Sequence, residues 1–329
     1  MKAIIYTEYG SPDVLKFQDI EKPVPAANEV LVKIHAASAN PLDWHLMRAE
    51  PFLARLSGGL FKPKNNKLGA DLAGRVDAVG SSVTQFRPGD DVFTGLSSGV
   101  LGGFAEYICV PEDMLVTKPA NISFDEAAAV PVAALTALQG LRKGKIQAGQ
   151  NVLINGASGG VGTFAVQIAK SFGAEVTGVC STHNLEMVRS IGADHVVDYT
   201  KEDFTNTGQQ YDLIFCAVGN RSLSDYMRAL KPQGACVIAG FTSLRLLFSH
   251  MIVGPRKSKV GGKWIGLMET ARINKPDLLF MKELLEAGKV KPVIDRLYSL
   301  DKTADAIRYL EAGHARGKVI ITVQQNGKA

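Results

Sequence analysis

Residues 151–170, reading Asn-Val-Leu-Ile-Asn-Gly-Ala-Ser-Gly-Gly-Val-Gly-Thr-Phe-Ala-Val-Gln-Ile-Ala-Lys, constrain the fold more than any other stretch of this chain. A short apolar run passes through a glycine-packed turn into an amphipathic segment, the order of strand, tight turn and helix. Within it, residues 157–162 read as G-x-G-x-x-G with alanine in the first place. Gly159 lets the backbone approach a pyrophosphate, Gly162 lets the helix pack close to the strand, and the open N–H groups at the helix start hold negative charge. Ser158, Gly159, Gly160 and Val161 are therefore candidate contacts to a dinucleotide.

The surrounding pattern supports that reading over an ordinary strand-to-helix turn. Strands are expected at 175–180, 195–197, 211–218 and 235–240, with helices at 184–191 and 223–230 between them. Strands alternating with helices imply a doubly wound parallel sheet, and nearly continuous apolar strands suit burial on both faces. Ligands of such sheets lie beyond the carboxyl ends of the strands. The residues just past those ends, Ser181, Thr182, Tyr199, Gly219, Asn220 and Phe241, join the candidate contacts.

The 329 residues exceed what one such unit needs, so two domains are expected. A composition of 46% hydrophobic and 21% charged residues fits a globular enzyme-sized protein. The amino terminus opens directly into strand-like sequence without the pattern of an export signal, giving the expectation of a cytoplasmic protein. The apolar run 244–253 is broken by Arg245 and His250 and is far short of a membrane span; it reads as a helix lining an interface or cleft. Cys109, Cys180, Cys216 and Cys236 are isolated from one another, which fits a reducing compartment and offers no C-x-x-C metal pair. The net charge of +5 is mild. The one local basic cluster, Arg256, Lys257, Lys259 and Lys263, reads as solvated surface, so neither nucleic acid nor an integral membrane is an expected partner.

Ahead of the glycine turn the pattern changes to short alternating runs, such as 29–35 and 104–110, broken by Gly, Pro, Asn and Asp. That is a mostly β domain. A further β-like run at 317–323 closes the chain after helical patterns at 276–287 and 303–312. The α/β unit is thus expected to be inserted, with residues 1–125 and 266–329 forming one domain and 126–265 the dinucleotide-binding one.

Several motifs now become recognisable in order: Gly69-Ala-Asp71-Leu-Ala-Gly74, Phe86-Arg-Pro-Gly89-Asp90, Gly102-Gly-Phe-Ala-Glu106-Tyr107, Pro131-Val-Ala-Ala-Leu-Thr136, the glycine turn, and the terminal Gly317-Lys318-Val. With them the chain resembles the medium-chain dehydrogenase/reductase superfamily, in its zinc-free quinone oxidoreductase-like branch, over essentially its whole length. The resemblance implies a GroES-like, mostly β catalytic domain beside a Rossmann domain, an active site in the cleft between them, and commonly a homodimer. By family position Thr136 is a candidate contact to the nicotinamide.

Relatives that oxidise alcohols carry a catalytic zinc, whose ligand positions correspond here to Asn40, Ala70 and a place near Val132. None of these is a ligand set for zinc, and the four-cysteine lobe of a structural zinc is missing too. Without a Lewis acid to lower an alcohol's pKa or polarise a carbonyl, the chemistry shifts to acceptors already electrophilic, namely quinones and α,β-unsaturated carbonyls. No metal is expected.

NAD enzymes usually place Asp or Glu at the end of the second Rossmann strand, where it bonds the ribose and repels a 2′-phosphate. Here Cys180-Ser181-Thr182-His183 offers hydroxyls and an imidazole instead, which favours NADPH. Tyr199 occupies a place where relatives put a tyrosine beside the adenosine phosphate. Ser181 and Thr182 also have a lesser reading as a helix cap, and His183 suits a solvated loop equally well.

Hydride transfer to an enone or quinone leaves an anion that needs stabilisation and a proton. Asn40 can donate an amide hydrogen bond from the old metal position, and His45 stands where relatives show a polar side chain or a proton relay. Asp43 reads as a brace for the loop, and solvent is the alternative proton source. The sequence-based expectation is a cytoplasmic, zinc-independent NADPH reductase of quinones or of enone C=C bonds. Two alternatives stay open: an enoyl reductase of the same fold, and a catalytically vestigial NADPH-binding sensor or structural protein. Residues between His45 and Lys67, including Phe52, Leu53, Leu56, Leu60 and Phe61, are expected to shape the acceptor pocket.

Overall fold

The structure is a computed structural model that describes residues 1–50, 55–96, 100–242, 245–246 and 262–323. The chain divides into two units, one of residues 1–132, 272–287 and 292–329, the other of residues 133–271 and 288–291. The first begins with β1 (Lys2–Ile5), β2 (Lys16–Asp19), β3 (Glu29–Ala39), α1 (Pro41–Arg48), α2 (Arg55–Gly58), β4 (Asp71–Val79), β5 (Asp91–Gly95), β6 (Tyr107–Pro111), β7 (Val116–Thr117) and α3 (Phe124–Ala128). Then come α4 (Pro131–Lys143), β8 (Asn151–Asn155), α5 (Gly160–Ser171), β9 (Glu175–Cys180), α6 (Leu185–Ser190), β10 (His195–Asp198), β11 (Tyr211–Cys216), α7 (Leu223–Ala229), β12 (Leu230–Ile238) and β13 (Trp264–Leu267). The remainder is α8 (Lys275–Glu286), β14 (Ile294–Ser299), α9 (Thr303–Glu311) and β15 (Lys318–Thr322).

In the first unit, β3 is the hub. It pairs antiparallel with β15, β4 and β6, within a seven-stranded sheet ordered β14-β15-β3-β4-β5-β7. The alternation at 29–35 marks only its first part. The strand continues to Ala39 because Ala36, Ala37, Ser38 and Ala39 are small enough to be buried on a crowded surface. Its register against β4 shifts between Leu31 and Val32 and again between Ile34 and Ala36, the extra residue and local bend of a bulge. Beyond the second shift, Ser38 stands opposite Asp71 of β4, while Ala39 stands opposite Val319 of β15. Three adjacent strand ends therefore bring Ser38, Asn40, Asp71 and Lys318 into one row. Around them, Ile4, Tyr6, Met47, Phe104, Ile307, Val319 and Ile321 form one buried apolar cluster, and Val30, Val32, Ile34, Leu72 and Val92 belong to a second.

The second unit holds the expected doubly wound sheet. Its six strands are all parallel and ordered β10-β9-β8-β11-β12-β13, so the chain winds outward from β8 one way and then crosses to β11 to wind the other. Burial on both faces explains why these strands read as unbroken apolar runs. The core includes Leu153, Val179, Phe204, Tyr211, Ile214, Tyr226 and Ile238.

Domain boundaries differ from expectation at three points. Residues 126–132 belong to the first unit, where α3 packs against β3 and β4. The parallel sheet extends past residue 265, because β13 adds a sixth strand along β12. Residues 288–291 join the second unit, where the Gln167 amide grips both backbone groups of Lys291, Nε2 to its carbonyl at 3.0 Å and its N–H to Oε1 at 2.8 Å. Most of the expected helix at 244–253, and Arg256, Lys257 and Lys259 of the basic cluster, lie outside the described residues; Lys263 donates to the Met227 carbonyl at 2.7 Å. No helix among the described residues is long and apolar enough to cross a membrane.

Candidate functional site

At the carboxyl edge of the parallel sheet, β8 ends at Asn155 and the chain turns into α5 with Gly159 as its N-cap, in extended conformation and without a side-chain cap. The first intrahelical bond runs from Thr163 N to the Gly159 carbonyl at 2.9 Å. The N–H groups of Gly160, Val161 and Gly162 precede it and so have no intrahelical acceptor, an arrangement suited to binding an anion. The two glycines have different duties. A Cβ on Gly162 would stand 2.0 Å from the Gly156 carbonyl oxygen, whereas one on Gly159 would meet nothing nearer than 3.7 Å. Gly162 is fixed by packing; Gly159, the N-cap of α5, has room beside it, which fits close approach of a pyrophosphate.

Asn184 links this turn to the end of β9. Its Nδ2 donates to Ser158 Oγ at 3.2 Å and to Ser181 Oγ at 3.1 Å, while its Oδ1 is buried without a hydrogen-bond partner. An orphaned acceptor beside the glycine turn fits a hydroxyl or amine from a bound nucleotide. On the other side of β8, Asn155 Nδ2 donates to the Val218 carbonyl at 2.6 Å and to Asn220 Oδ1 at 3.0 Å. Gly219 N donates to the Gly240 carbonyl at 2.6 Å and Gly219 pairs with Phe241. These contacts gather the loops after β8, β11 and β12 at the point where strand order reverses, the place where such sheets bind ligands.

Of the expected cofactor residues, Ser158, Gly159, Gly160, Val161 and Ser181 thus cluster around the α5 N-terminus, and Gly219 and Phe241 form a second group. Thr182 and Tyr199 flank a residue that the sequence reading missed. Thr182 Oγ1 donates to Asp198 Oδ2 at 2.5 Å, and Tyr199 N donates to the Cys180 carbonyl at 3.1 Å. Tyr199 and His183 are exposed, and Thr136 is half-buried in α4. A carboxylate does stand beside the end of β9, supplied by the neighbouring strand; the parallel register that pairs Asp198 with Cys180 was the only available signal.

The first unit carries a buried polar cluster at the loop between β3 and α1. Asp71 is fully buried and accepts from Ser38 Oγ at 2.6 Å, Asn40 Nδ2 at 2.9 Å and Val132 N at 2.8 Å. Lys318, 3% exposed, donates from Nζ to Asn40 Oδ1 at 2.6 Å and lies 3.4 Å from Asp71 Oδ2. Burial holds its ammonium below the usual lysine range, and Asp71 offsets part of that shift. Asp43, also fully buried, accepts from Asn40 N at 2.8 Å and Gly69 N at 2.9 Å. Desolvation raises its carboxyl to about 7, against the pull of those two N–H donors.

This geometry corrects the expected role of Asn40. Its second amide hydrogen goes to the Ser38 carbonyl at 3.2 Å, so both are committed inside the protein, and the side chain is 3% exposed. It braces the loop instead of offering a donor to a substrate oxyanion. His45 stands apart from the cluster. Its Nδ1 lies 3.0 Å from the Glu50 carbonyl, which requires Nδ1–H to be the donor, and its ring stacks on Trp44 at 3.6 Å. Desolvation lowers its pKa. Of the expected acceptor-pocket residues, Phe52 and Leu53 lie outside the described residues; Leu56 and Phe61 are 73% and 89% exposed.

The positions at which zinc-dependent relatives hold their metal do not fit one here. Ala70 and Val132 have no donor atom in their side chains, and Asn40 Oδ1 is taken by Lys318. Among the described residues no group of three or more His, Cys, Asp or Glu could hold a metal ion.

Residues 26–120 match the family model of the alcohol dehydrogenase GroES-like domain, and residues 191–321 that of the zinc-binding dehydrogenases. The chain is 38% identical, over 98% of its length and 79% of the relative's, to a 2-methylene-furan-3-one reductase of Solanum lycopersicum. It is 35% identical, with the same coverage, to a chloroplastic NADPH-dependent alkenal/one oxidoreductase of Arabidopsis thaliana. Among solved structures it superposes on a quinone oxidoreductase from Coxiella burnetii with a TM-score of 0.85, at 31% identity and covering 98% and 99% of the two chains. With its GroES-like and Rossmann-type units, glycine turn and these relatives, the chain belongs to the medium-chain dehydrogenase/reductase superfamily, in the quinone oxidoreductase-like branch.

Proposed function

We propose that this chain is a zinc-independent, NADPH-dependent reductase that transfers hydride to a quinone or to the C=C bond of an α,β-unsaturated carbonyl. The observation that carries the reading is the uncapped N-terminus of α5 at Gly159, set where the strand order reverses between β8 and β11. The names of the tomato and Arabidopsis relatives support the substrate class and the cofactor.

NADPH supplies the hydride. The chain's own residues bind and orient. Gly160, Val161 and Gly162 would hold the pyrophosphate on their N–H groups, Ser181, Thr182, His183 and Tyr199 would receive the adenosine end, and Thr136, Gly219 and Phe241 would receive the nicotinamide end. Asn40, Ala70 and Val132 build no Lewis-acid site, so the acceptor brings its own electrophilic carbon. The cluster of Asn40, Asp43, Asp71 and Lys318 fixes the start of α1, the helix that carries Trp44 and His45. A neutral His45 that donates Nδ1–H to Glu50 presents a bare Nε2, an acceptor and not an acid. The closing proton is therefore assigned to solvent. A homodimer and a cytoplasmic location belong to the same proposal, open to light scattering and cell fractionation.

The test is NADPH oxidation against a panel of quinones, enals and enones, with and without a chelator. Acceptor-dependent oxidation that survives chelation, in protein without stoichiometric zinc, is the expected result. Binding of NADPH without turnover of any acceptor would leave a nucleotide-binding protein, and activity lost together with one zinc per chain would overturn the metal-free chemistry.

A further inference from the structure

Cofactor choice in Rossmann folds turns on whether the end of the second strand presents an acid to the ribose. β9 ends at Cys180 with no acid, but Asp198 is the register partner of Cys180 on β10. The carboxylate has moved one strand sideways without leaving that level of the sheet. Its side chain is 8% exposed, with Lys201 Nζ at 3.6 Å as a solvent-exposed counter-ion. Oδ2 takes the Thr182 hydroxyl at 2.5 Å, and Oδ1 takes the Thr200 hydroxyl at 2.7 Å and the Thr200 N–H at 3.0 Å. These bonds, Thr182 first, hold its carboxyl at about 2, so it is anionic at neutral pH.

The consequence lies in where the hydroxyl hydrogens point. Thr182 and Thr200 each have one, and both are turned toward Asp198, leaving two oxygens 3.1 Å apart that present only lone pairs outward. The buried Oδ1 of Asn184, three residues after Ser181, is another acceptor in want of a donor. Ribose hydroxyls can donate to such a surface. A 2′-phosphate cannot, since at neutral pH it is chiefly an acceptor and carries negative charge toward Asp198. The donors that favour the phosphate are Ser181, His183, Tyr199 and Lys201 around the rim.

We propose that Asp198 is a specificity-determining residue: by fixing Thr182 and Thr200 as acceptors it keeps the adenosine end receptive to an unphosphorylated ribose, so the chain binds NADH as well as NADPH. The proposal rests on the reductase reading above and sharpens its cofactor term. Asp198 acts through the two threonines, as a positioning residue.

Isothermal titration of the full chain with NADH and with NADPH tests it, using the unmodified protein, Asp198→Asn and Thr182→Val. Asp198→Asn removes the charge and, since its amide nitrogen no longer accepts, releases one of the two hydroxyl hydrogens toward the phosphate, while Thr182→Val deletes a ribose acceptor and leaves the rim donors. In both, the ratio of the NADH to the NADPH dissociation constant should rise, by about fivefold or more, the scale of one charge or hydrogen-bond change at a partly exposed site. A smaller change in the ratio in both variants overturns the proposal; if Asp198→Asn fails to fold, Thr182→Val alone decides it. Should the unmodified protein bind both cofactors and turn over acceptors while the ratio stays fixed, only this inference falls. Binding of neither cofactor would take the reductase reading with it.

Discussion

The ammonium of Lys318 lies 2.6 Å from Oδ1 of Asn40, although 278 residues separate them in the chain. The strand register explains the meeting: Val319 pairs with Ala39, which sets the residue before one beside the residue after the other. The same ammonium is the buried cation nearest Asp71, whose carboxylate has no solvent to screen it.

Removing that cation should be costly. Lys318→Met leaves the Asp71 carboxylate buried and uncompensated, and a loss of about 3–5 kcal/mol in unfolding free energy is expected. Adding Asp71→Asn to Lys318→Met should restore part of it, because the unpaired charge goes too. Urea denaturation of both single variants and the double variant measures this; a loss in the double variant equal to the sum of the two single losses would show that the pair is not coupled.

Asn40→Ala separates a brace from an oxyanion donor. A brace that satisfies Asp71, Ser38 and Lys318 should cost about 1–3 kcal/mol of stability when removed, with kcat falling by less than about tenfold at a temperature where the variant stays folded. Loss of a transition-state donor would instead lower kcat by about 100-fold or more. Steady-state kinetics beside a denaturation curve tell the two apart.

Asp43 gives the first unit a pH dependence of definite sign. Its carboxyl titrates near 7 in the folded chain and near 4 when unfolded. Between those values the folded state binds the extra proton, so the Asp43 contribution is full below about 4 and is lost as pH rises through about 7. Denaturation of unmodified protein and Asp43→Asn across that window should show the variant's stability falling less with rising pH. Parallel pH profiles would contradict the assignment.

The two glycines of the α5 turn predict opposite outcomes. Gly162→Ala drives a Cβ into the Gly156 carbonyl and should destabilise the chain by about 1–3 kcal/mol or more, read as a lowered melting temperature. Gly159→Ala meets no such obstacle and should fold, yet weaken NADPH by on the order of tenfold, about 1.4 kcal/mol, because the new methyl occupies the approach to the helix N-terminus. Titration calorimetry on the folded variant checks the second half.

The Rossmann unit was legible because its strands are buried on both faces and its turn has a chemical reason for each glycine; Asn151–Asn155 and Glu175–Cys180 end where the apolar pattern ends. Trp264–Leu267 was not, since four residues carry too little pattern to separate a last parallel strand from a loop. The candidate site was legible only where its chemistry is local. Ser158 to Val161 could be named from the turn, but the fate of the Asn40 amide depends on Asp71 and Lys318, and the position of Asp198 depends on register across two parallel strands. Hydrophobic periodicity fixes which face a residue takes, not which distant polar group it meets.

Hydride transfer itself can be followed directly by supplying NADPH deuterated at the transferable position together with an enone in a single turnover. Deuterium at the β-carbon of the reduced product, with the α-proton drawn from solvent and no metal added, is the expected result. An enone recovered unreduced and unlabelled by protein that binds NADPH, or a product whose β-carbon carries solvent hydrogen, would contradict it.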